Sequence, residues 1–142
     1  MRQIYLAAPL FSQAEQDFNW RLYQFLTGKG YGVFLPQKEC EHQQGEEIYE
    51  TCLSGLKAAA VVVAILDGAD ADSGTCWECG YAVGCGIPTI AVRTDIRGSG
   101  DTRGFNAMLY YSAAIAIETQ HESRHDLHQH IAAAIQRILK PD

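Results

Sequence analysis

Val61-Val62-Val63-Ala64-Ile65-Leu66 is an unbroken apolar run, rich in β-branched residues and halted by Asp67-Gly68. A run without polar alternation reads as a strand buried on both faces. Such a strand needs helices above and below it, so the rest of the chain must supply two covering layers. It does. Ile4-Tyr5-Leu6-Ala7-Ala8 is a first short strand ending at Pro9. Ser12, with Glu15 three residues on, is a capping-box signature, and Phe18, Leu22 and Phe25 or Leu26 form one stripe up to Gly28 and Gly30. Tyr31 to Leu35 is a second strand, stopped by Pro36.

The polar stretch from Gln37 to Glu46 shows no periodicity and reads as a loop. Ile48, Cys52, Leu53 and Leu56 then have helical spacing up to about Ala59. After the central run, a helix is expected from about Gly74 to Cys85 and a fourth strand from Pro88 to Val92. A second polar loop runs from Arg93 to Gly104, before a short helix over Phe105 to Leu109 and a fifth strand over Ala113 to Ile117. The last helix, about Glu122 to Leu139, carries Leu127, Ile131, Ala134, Ile135 and Ile138 at core spacing. The expectation is a single α/β domain over 1–142, a doubly wound, flavodoxin- or Rossmann-like sheet of about five parallel strands with helices on both faces.

Composition narrows the function. The 142 residues carry a net charge of −6, which repels phosphate backbones and disfavours a nucleic-acid partner. The longest apolar stretch, Ala58 to Leu66, is far short of the roughly 20 residues that a spanning helix needs. With no leader pattern at the N-terminus, a cytoplasmic protein without a membrane partner is expected. Five cysteines (Cys40, Cys52, Cys76, Cys79, Cys85) are an odd set and read as free thiols. Cys76 and Cys79 form a C-x-x-C inside a helix with no second pair for zinc, so no metal is expected. His121, His125, His128 and His130 read as a solvated face of the last helix.

Ligands of doubly wound sheets bind past the carboxyl ends of the strands. There, Asp67, Asp70 and Asp72 crowd the mouth of the sheet and Glu78 follows, between Trp77 and Tyr81, with no basic residue nearby in sequence. Free N–H groups at the helix start are expected to favour the ionised Glu78. Asp72 or Ser73 could equally be a helix cap. Gly74 allows close approach of a ligand. Phe11 could stack on a planar ligand or staple the first helix, and Gln37, Gln43 or Gln44 could hydrogen-bond the edge of one.

Asp72-Ser73-Gly74-Thr75-Cys76-Trp77-Glu78-Cys79-Gly80-Tyr81-Ala82 resembles the D-x-G-x-x-x-E-x-G-x-A signature of nucleoside 2-deoxyribosyltransferases. Ile4 to Phe11 is similar to their first strand and turn, and Phe105-Asn106-Ala107-Met108-Leu109 to their N-x-M segment. The resemblance implies that Glu78 is the nucleophile forming a covalent deoxyribosyl-enzyme, that Tyr5 orients it, and that Asp72 binds sugar hydroxyls. It further implies that Asn106 reaches the sugar from a neighbouring subunit, with Met108 lining the same shared pocket, and hence a homo-oligomer. Phe11, Gln37, Asp67 and Gly74 complete the expected substrate contacts. The implied ligands are deoxynucleosides and nucleobases, with no cofactor. One position departs from the pattern: where many members place an Asp facing the nucleobase, this chain has Cys52. Asp67, Asp70 or a water is then expected to supply the proton.

Two alternatives remain on the sequence. A nucleoside or nucleoside 5′-monophosphate N-glycosidase would use the same nucleophile with water, and Arg93, Arg97 or Arg103 could hold its phosphate. The turn after the first strand, Ala8-Pro9-Leu10-Phe11, has no cation and favours the nucleoside. A binder of nucleotide derivatives without turnover is the other.

Overall fold

A computed structural model describes residues 3–98 and 100–140. Strands β1 (Gln3–Ala7), β2 (Gly32–Phe34), β3 (Ala59–Ile65), β4 (Thr89–Arg93) and β5 (Ile115–Glu118) form one sheet in the order β2-β1-β3-β4-β5. All neighbours pair in parallel. Helices α1 (Gln13–Gly28), α2 (Pro36–Glu39), α3 (Glu46–Ala58), α4 (Ser73–Gly84), α5 (Ala107–Ser112) and α6 (Arg124–Leu139) make the crossovers and cover both faces.

Alternation along each strand sends successive side chains to opposite faces. Ile4 and Leu6 of β1, with Val61, Val63 and Ile65 of β3, pack against Leu22 and Leu26 of α1 and Ile131 and Ile135 of α6. Tyr5 and Ala7, with Val62 and Ala64, face Leu56 of α3 and Cys79 and Ala82 of α4. The central run is therefore fully apolar because it feeds two cores. Each buried aliphatic side chain contributes roughly 1.5–3 kcal/mol.

The capping box forms as read: Ser12 N–H donates to Glu15 Oε1 at 2.8 Å and Glu15 N–H to Ser12 Oγ at 3.1 Å. Two expectations are corrected. The stretch after the second strand begins with a helical turn, because Pro36 sits at N1, where its fixed φ is already helical. His128 does not belong to a solvated face: it is buried and lies 5.1 Å from the Phe25 ring, centroid to centroid. The remaining face is polar, with His130 paired to Glu122.

The chain passes from β1 to β2 on one side and returns to β3 on the other. The strand order therefore reverses between β1 and β3, and a crevice opens past their carboxyl ends.

Candidate active site

A cavity of about 700 Å³ occupies that end of the sheet. The turn after β1 supplies Leu10 and Phe11, α2 and its C-cap supply Gln37 and Cys40, α3 supplies Tyr49 and Cys52, and α4 and its N-cap supply Asp72, Gly74, Trp77 and Glu78. A volume of this order suits a nucleoside-sized ligand. No lysine or arginine lines it among the described residues, so it offers an anionic ligand no counter-charge.

Glu78 lies in the second turn of α4, with its Oε2 buried and without a hydrogen-bond partner. Beneath it is Tyr5, entirely buried in β1, whose hydroxyl also has no closed hydrogen bond. The two groups nevertheless feel each other. Burial, then the Glu78 charge, pushes the Tyr5 hydroxyl far above its ordinary range. Glu78 is raised to about 7, chiefly by burial, with the Tyr5 hydroxyl pulling down and the Asp72 charge pushing up. This overturns the expectation that the helix start keeps Glu78 readily ionised. By the second turn the backbone N–H groups are committed within the helix, and desolvation outweighs the remaining dipole. The result is a carboxylate poised near neutrality, weakly solvated and without a cationic partner among the described residues.

Asp72 is both a cap and a cavity residue. Its Oδ2 accepts from Thr75 N–H at 2.9 Å and from Thr75 Oγ1 at 3.0 Å. None of the hydrogen bonds among the described residues uses Oδ1, which leaves that oxygen for a ligand. A side chain on Gly74 would place its Cβ 3.4 Å from Asp72 Oδ2, so glycine there keeps the carboxylate free of crowding.

Gln37 is held on two sides: its Oε1 accepts from Asn19 Nδ2 at 3.0 Å, and its Nε2 donates to the Gln16 carbonyl at 3.1 Å. One N–H and one lone pair remain for a ligand. Gln43 and Gln44 lie outside the cavity lining. Phe11 is 76% exposed at the rim, so it does not staple α1.

Other sequence-predicted residues lie elsewhere. Asp67 does not line this cavity. Its carboxylate accepts from Thr94 N–H at 2.6 Å, Thr94 Oγ1 at 2.5 Å and Asp95 N–H at 3.2 Å, tying the loop after β3 to that after β4. Arg93 is likewise structural. It is buried, and donates to the carbonyls of Leu66 at 2.6 Å, Gly68 at 2.8 Å and Arg97. Arg97 pairs with Asp95 at 2.7 Å. Asn106 caps α5 by accepting from Met108 N–H at 2.9 Å. Asn106 and Met108 are exposed and line a separate depression on the outer side of α4, apart from the Glu78 cavity.

Three participants escaped the sequence reading. Cys40 comes to lie beside Cys52, Sγ to Sγ 3.6 Å. Trp77 forms the cavity wall between Tyr49, at 6.0 Å between ring centroids, and Tyr81, stacked at 5.5 Å. Phe34 stacks on Tyr5. Only Trp77 had a local signal, its place one residue before Glu78.

The fold and the cavity define an α/β protein with a nucleoside-sized cavity at a topological switch point, beside a buried carboxylate that no cation among the described residues pairs. The sequence profile described as nucleoside 2-deoxyribosyltransferase matches residues 4–132. The chain belongs to the nucleoside 2-deoxyribosyltransferase family. Membership makes it an enzyme of the deoxyribosyltransferase or related N-glycosidase class, acting on small-molecule nucleosides.

Solved structures share the fold. A conserved protein of Enterococcus faecalis is 26% identical with a TM-score of 0.74, over 94% of this chain and 99% of that one. The 2-deoxyribosyltransferase of Bacillus psychrosaccharolyticus is 24% identical with a TM-score of 0.70, over 89% and 90%. The CMP N-glycosidase of Clostridium botulinum is 17% identical with a TM-score of 0.67, over 94% and 99%. Comparison with curated protein sequences finds no match. No helix among the described residues is long and apolar enough to cross a membrane.

Proposed function

We propose that the protein transfers 2-deoxyribose between nucleobases through a covalent ester of Glu78. The observation that carries this reading is the Glu78 carboxylate itself: desolvated, beside the Tyr5 hydroxyl, at the floor of a nucleoside-sized cavity and without a cation to neutralise it. A carboxylate that only stabilised the fold would be expected in a salt bridge or a closed hydrogen bond.

Ionised Glu78 attacks C1′ as the C1′–N bond breaks, and the departing base takes a proton. A second base then attacks C1′ from the opposite face, displaces Glu78 and gives up its proton. Two inversions give net retention. Tyr5 holds the attacking oxygen by its hydroxyl, and the free oxygen of Asp72 takes a sugar hydroxyl. Gln37, its amide fixed by Asn19, presents a donor and an acceptor to the base, and Phe11 covers the base at the rim. Cys52 stands at the base end in place of a carboxylate, so the leaving base draws its proton from water. Asn106 and Met108 act in the cavity of a neighbouring subunit, since in their own chain they lie apart from it. Asp67 fixes two loops and contacts no substrate.

Hydrolysis by the same nucleophile is the second reading. The cation-free lining favours a nucleoside over a nucleotide in either case. A base-exchange assay over purine and pyrimidine deoxynucleosides, with free base and free deoxyribose measured together, tests the proposal. Exchange without sugar release, lost in Glu78→Ala, is the expected result. Stoichiometric sugar release moves the protein to the hydrolases, and no turnover with any donor leaves a binder.

A further inference from the structure

Of the five cysteines, Cys40 and Cys52 are set apart by geometry. Cys40 caps the end of α2 and Cys52 lies in the middle of α3. Between them the chain turns back through two residues of positive φ, His42 at 67° and Gly45 at 54°. This brings the two sulfurs to 3.6 Å, a thiol–thiol hydrogen bond. Both thiols line the Glu78 cavity and so meet any small solute that enters it. The other three have different surroundings: Cys76 Sγ donates to the Ala71 carbonyl, Cys79 is buried against the sheet, and Cys85 is exposed.

We propose that Cys40 and Cys52 are a peroxide-modified pair that closes to a reversible disulfide and thereby narrows the base end of the cavity. A disulfide needs the sulfurs at about 2.05 Å, so they must approach by roughly 1.5 Å. The four-residue α2 and the turn at 41–45 are the pieces that yield, since α3 is held by Leu56 in the core. One thiolate attacks the peroxide and breaks its O–O bond, giving a sulfenic acid and hydroxide. The second thiol then attacks that sulfur, forming the S–S bond and releasing water. Two electrons pass to the peroxide, and the two thiol protons end in the two waters formed. A dithiol reductant reverses the bond by exchange.

Burial, and then the neighbouring Cys52, Glu39 and Glu78, push the Cys40 thiol up to about 12. Thiolate is therefore scarce, and closure follows sustained rather than brief exposure. The bond would pull the 41–45 turn, which carries Gly45 of the cavity wall, toward α3.

The effect on turnover rests on the deoxyribosyl-transfer reading, whereas the bond itself does not. The test treats the full chain with excess hydrogen peroxide and digests it without reduction. Mass spectrometry then looks for a Cys40–Cys52 linked peptide, two hydrogens lighter than its parts. Base exchange is compared for reduced, oxidised and re-reduced protein. The expected outcome is the linked peptide, a fall in exchange of about tenfold or more, and recovery with dithiothreitol. In Cys40→Ala and Cys52→Ala the oxidised-to-reduced ratio should be close to one. Absence of the linked peptide overturns the proposal. So does a linked peptide with unchanged exchange, or the same loss in Cys40→Ala. If the reduced protein shows no exchange at all, the transfer reading fails separately. Amide hydrogen exchange of residues 41–45 then decides: slower in the oxidised form supports closure, and unchanged rates refute it.

Discussion

The Phe34 ring lies almost parallel to that of Tyr5, with centroids 5.1 Å apart and planes 11° from coplanar. Behind Phe34 is Gly55 of α3, where an added Cβ would meet the ring at 2.6 Å. The glycine therefore sets how close α3 comes to the sheet, and through Phe34 it sets where the Tyr5 hydroxyl stands relative to Glu78.

Gly55→Ala tests this stack. Alanine is the better helix former by about 1 kcal/mol, yet the ring must move to admit it, and overpacking of this kind costs about 1–3 kcal/mol. The expected outcome is a lowered Tm, together with a fall in kcat for base exchange. Combining it with Phe34→Leu should recover Tm but not kcat, because the smaller side chain relieves the clash without restoring the stack. Calorimetry and steady-state kinetics on the three variants check both. Full activity in Gly55→Ala would sever the stack from the chemistry.

Tyr5→Phe removes a hydroxyl that pulls the Glu78 pKa down. Without it, burial and the Asp72 charge act unopposed and the Glu78 pKa rises further above 7. The proposed transfer requires the carboxylate, so the acidic limb of the kcat/KM profile, expected near pH 7 in the parent, should move to higher pH in the variant. Activity at pH 6 should then fall by more than activity at pH 9. An equal loss at both would mean that Tyr5 does not act through Glu78.

Asp67→Ala separates a loop tie from a substrate contact. Three donors on Thr94 and Asp95 lose their acceptor, and hydrogen bonds to a charged group are worth about 1.5–3 kcal/mol. A drop in Tm with KM for the deoxynucleoside nearly unchanged is expected. If KM instead rises tenfold at constant Tm, Asp67 reaches the substrate after all.

The sheet was legible because its signals are local. A β-branched run, a capping box and a periodic last helix each announce themselves within a few residues, and parallel connections leave few ways to arrange them. The α2 turn was not, since Pro36-Gln37-Lys38-Glu39 has no apolar stripe to mark it. The site was half legible: Tyr5, Asp72 and Glu78 stand out by motif, and the cavity gathers Asp72 and Glu78 above the buried Tyr5. What escaped is long-range. Nothing near Cys40 says that a turn of positive φ will fold it onto Cys52. Nothing near Asp67 says that Thr94 will claim its carboxylate. The state of Glu78 also depends on how deeply α4 packs, which helical phase alone does not fix.

The placement of Asn106 and Met108 away from their own cavity predicts complementation between defective subunits. In the proposed shared-site oligomer, Glu78→Ala and Asn106→Ala proteins should each be nearly inactive. Unfolded together and refolded, random pairing in a dimer gives half mixed species, each with one intact site of two, so about a quarter of the parent activity should return. Recovery measured against the mixing ratio checks this. No recovery would place Asn106 on the cavity of its own chain or outside the reaction.

Glu78→Gln should separate stability from function. A carboxyl whose folded pKa is raised from 4.5 to about 7 binds its proton more tightly in the folded state than in the unfolded one. Below about pH 4.5 both states are protonated and the group costs nothing. As pH rises through the window from 4.5 to 7, the unfolded chain releases its proton first, and stability falls. Above pH 7 the loss is complete, about 3 kcal/mol. Glutamine keeps the shape and cannot ionise, so the variant should match the parent near pH 4.5 and exceed it in Tm at pH 8, while exchange disappears. Urea melts of both proteins across that range measure the difference directly. A parent as stable as Glu78→Gln at pH 8 would mean that Glu78 is not held against its ionisation, and the reading of it as a desolvated nucleophile would lose its physical basis.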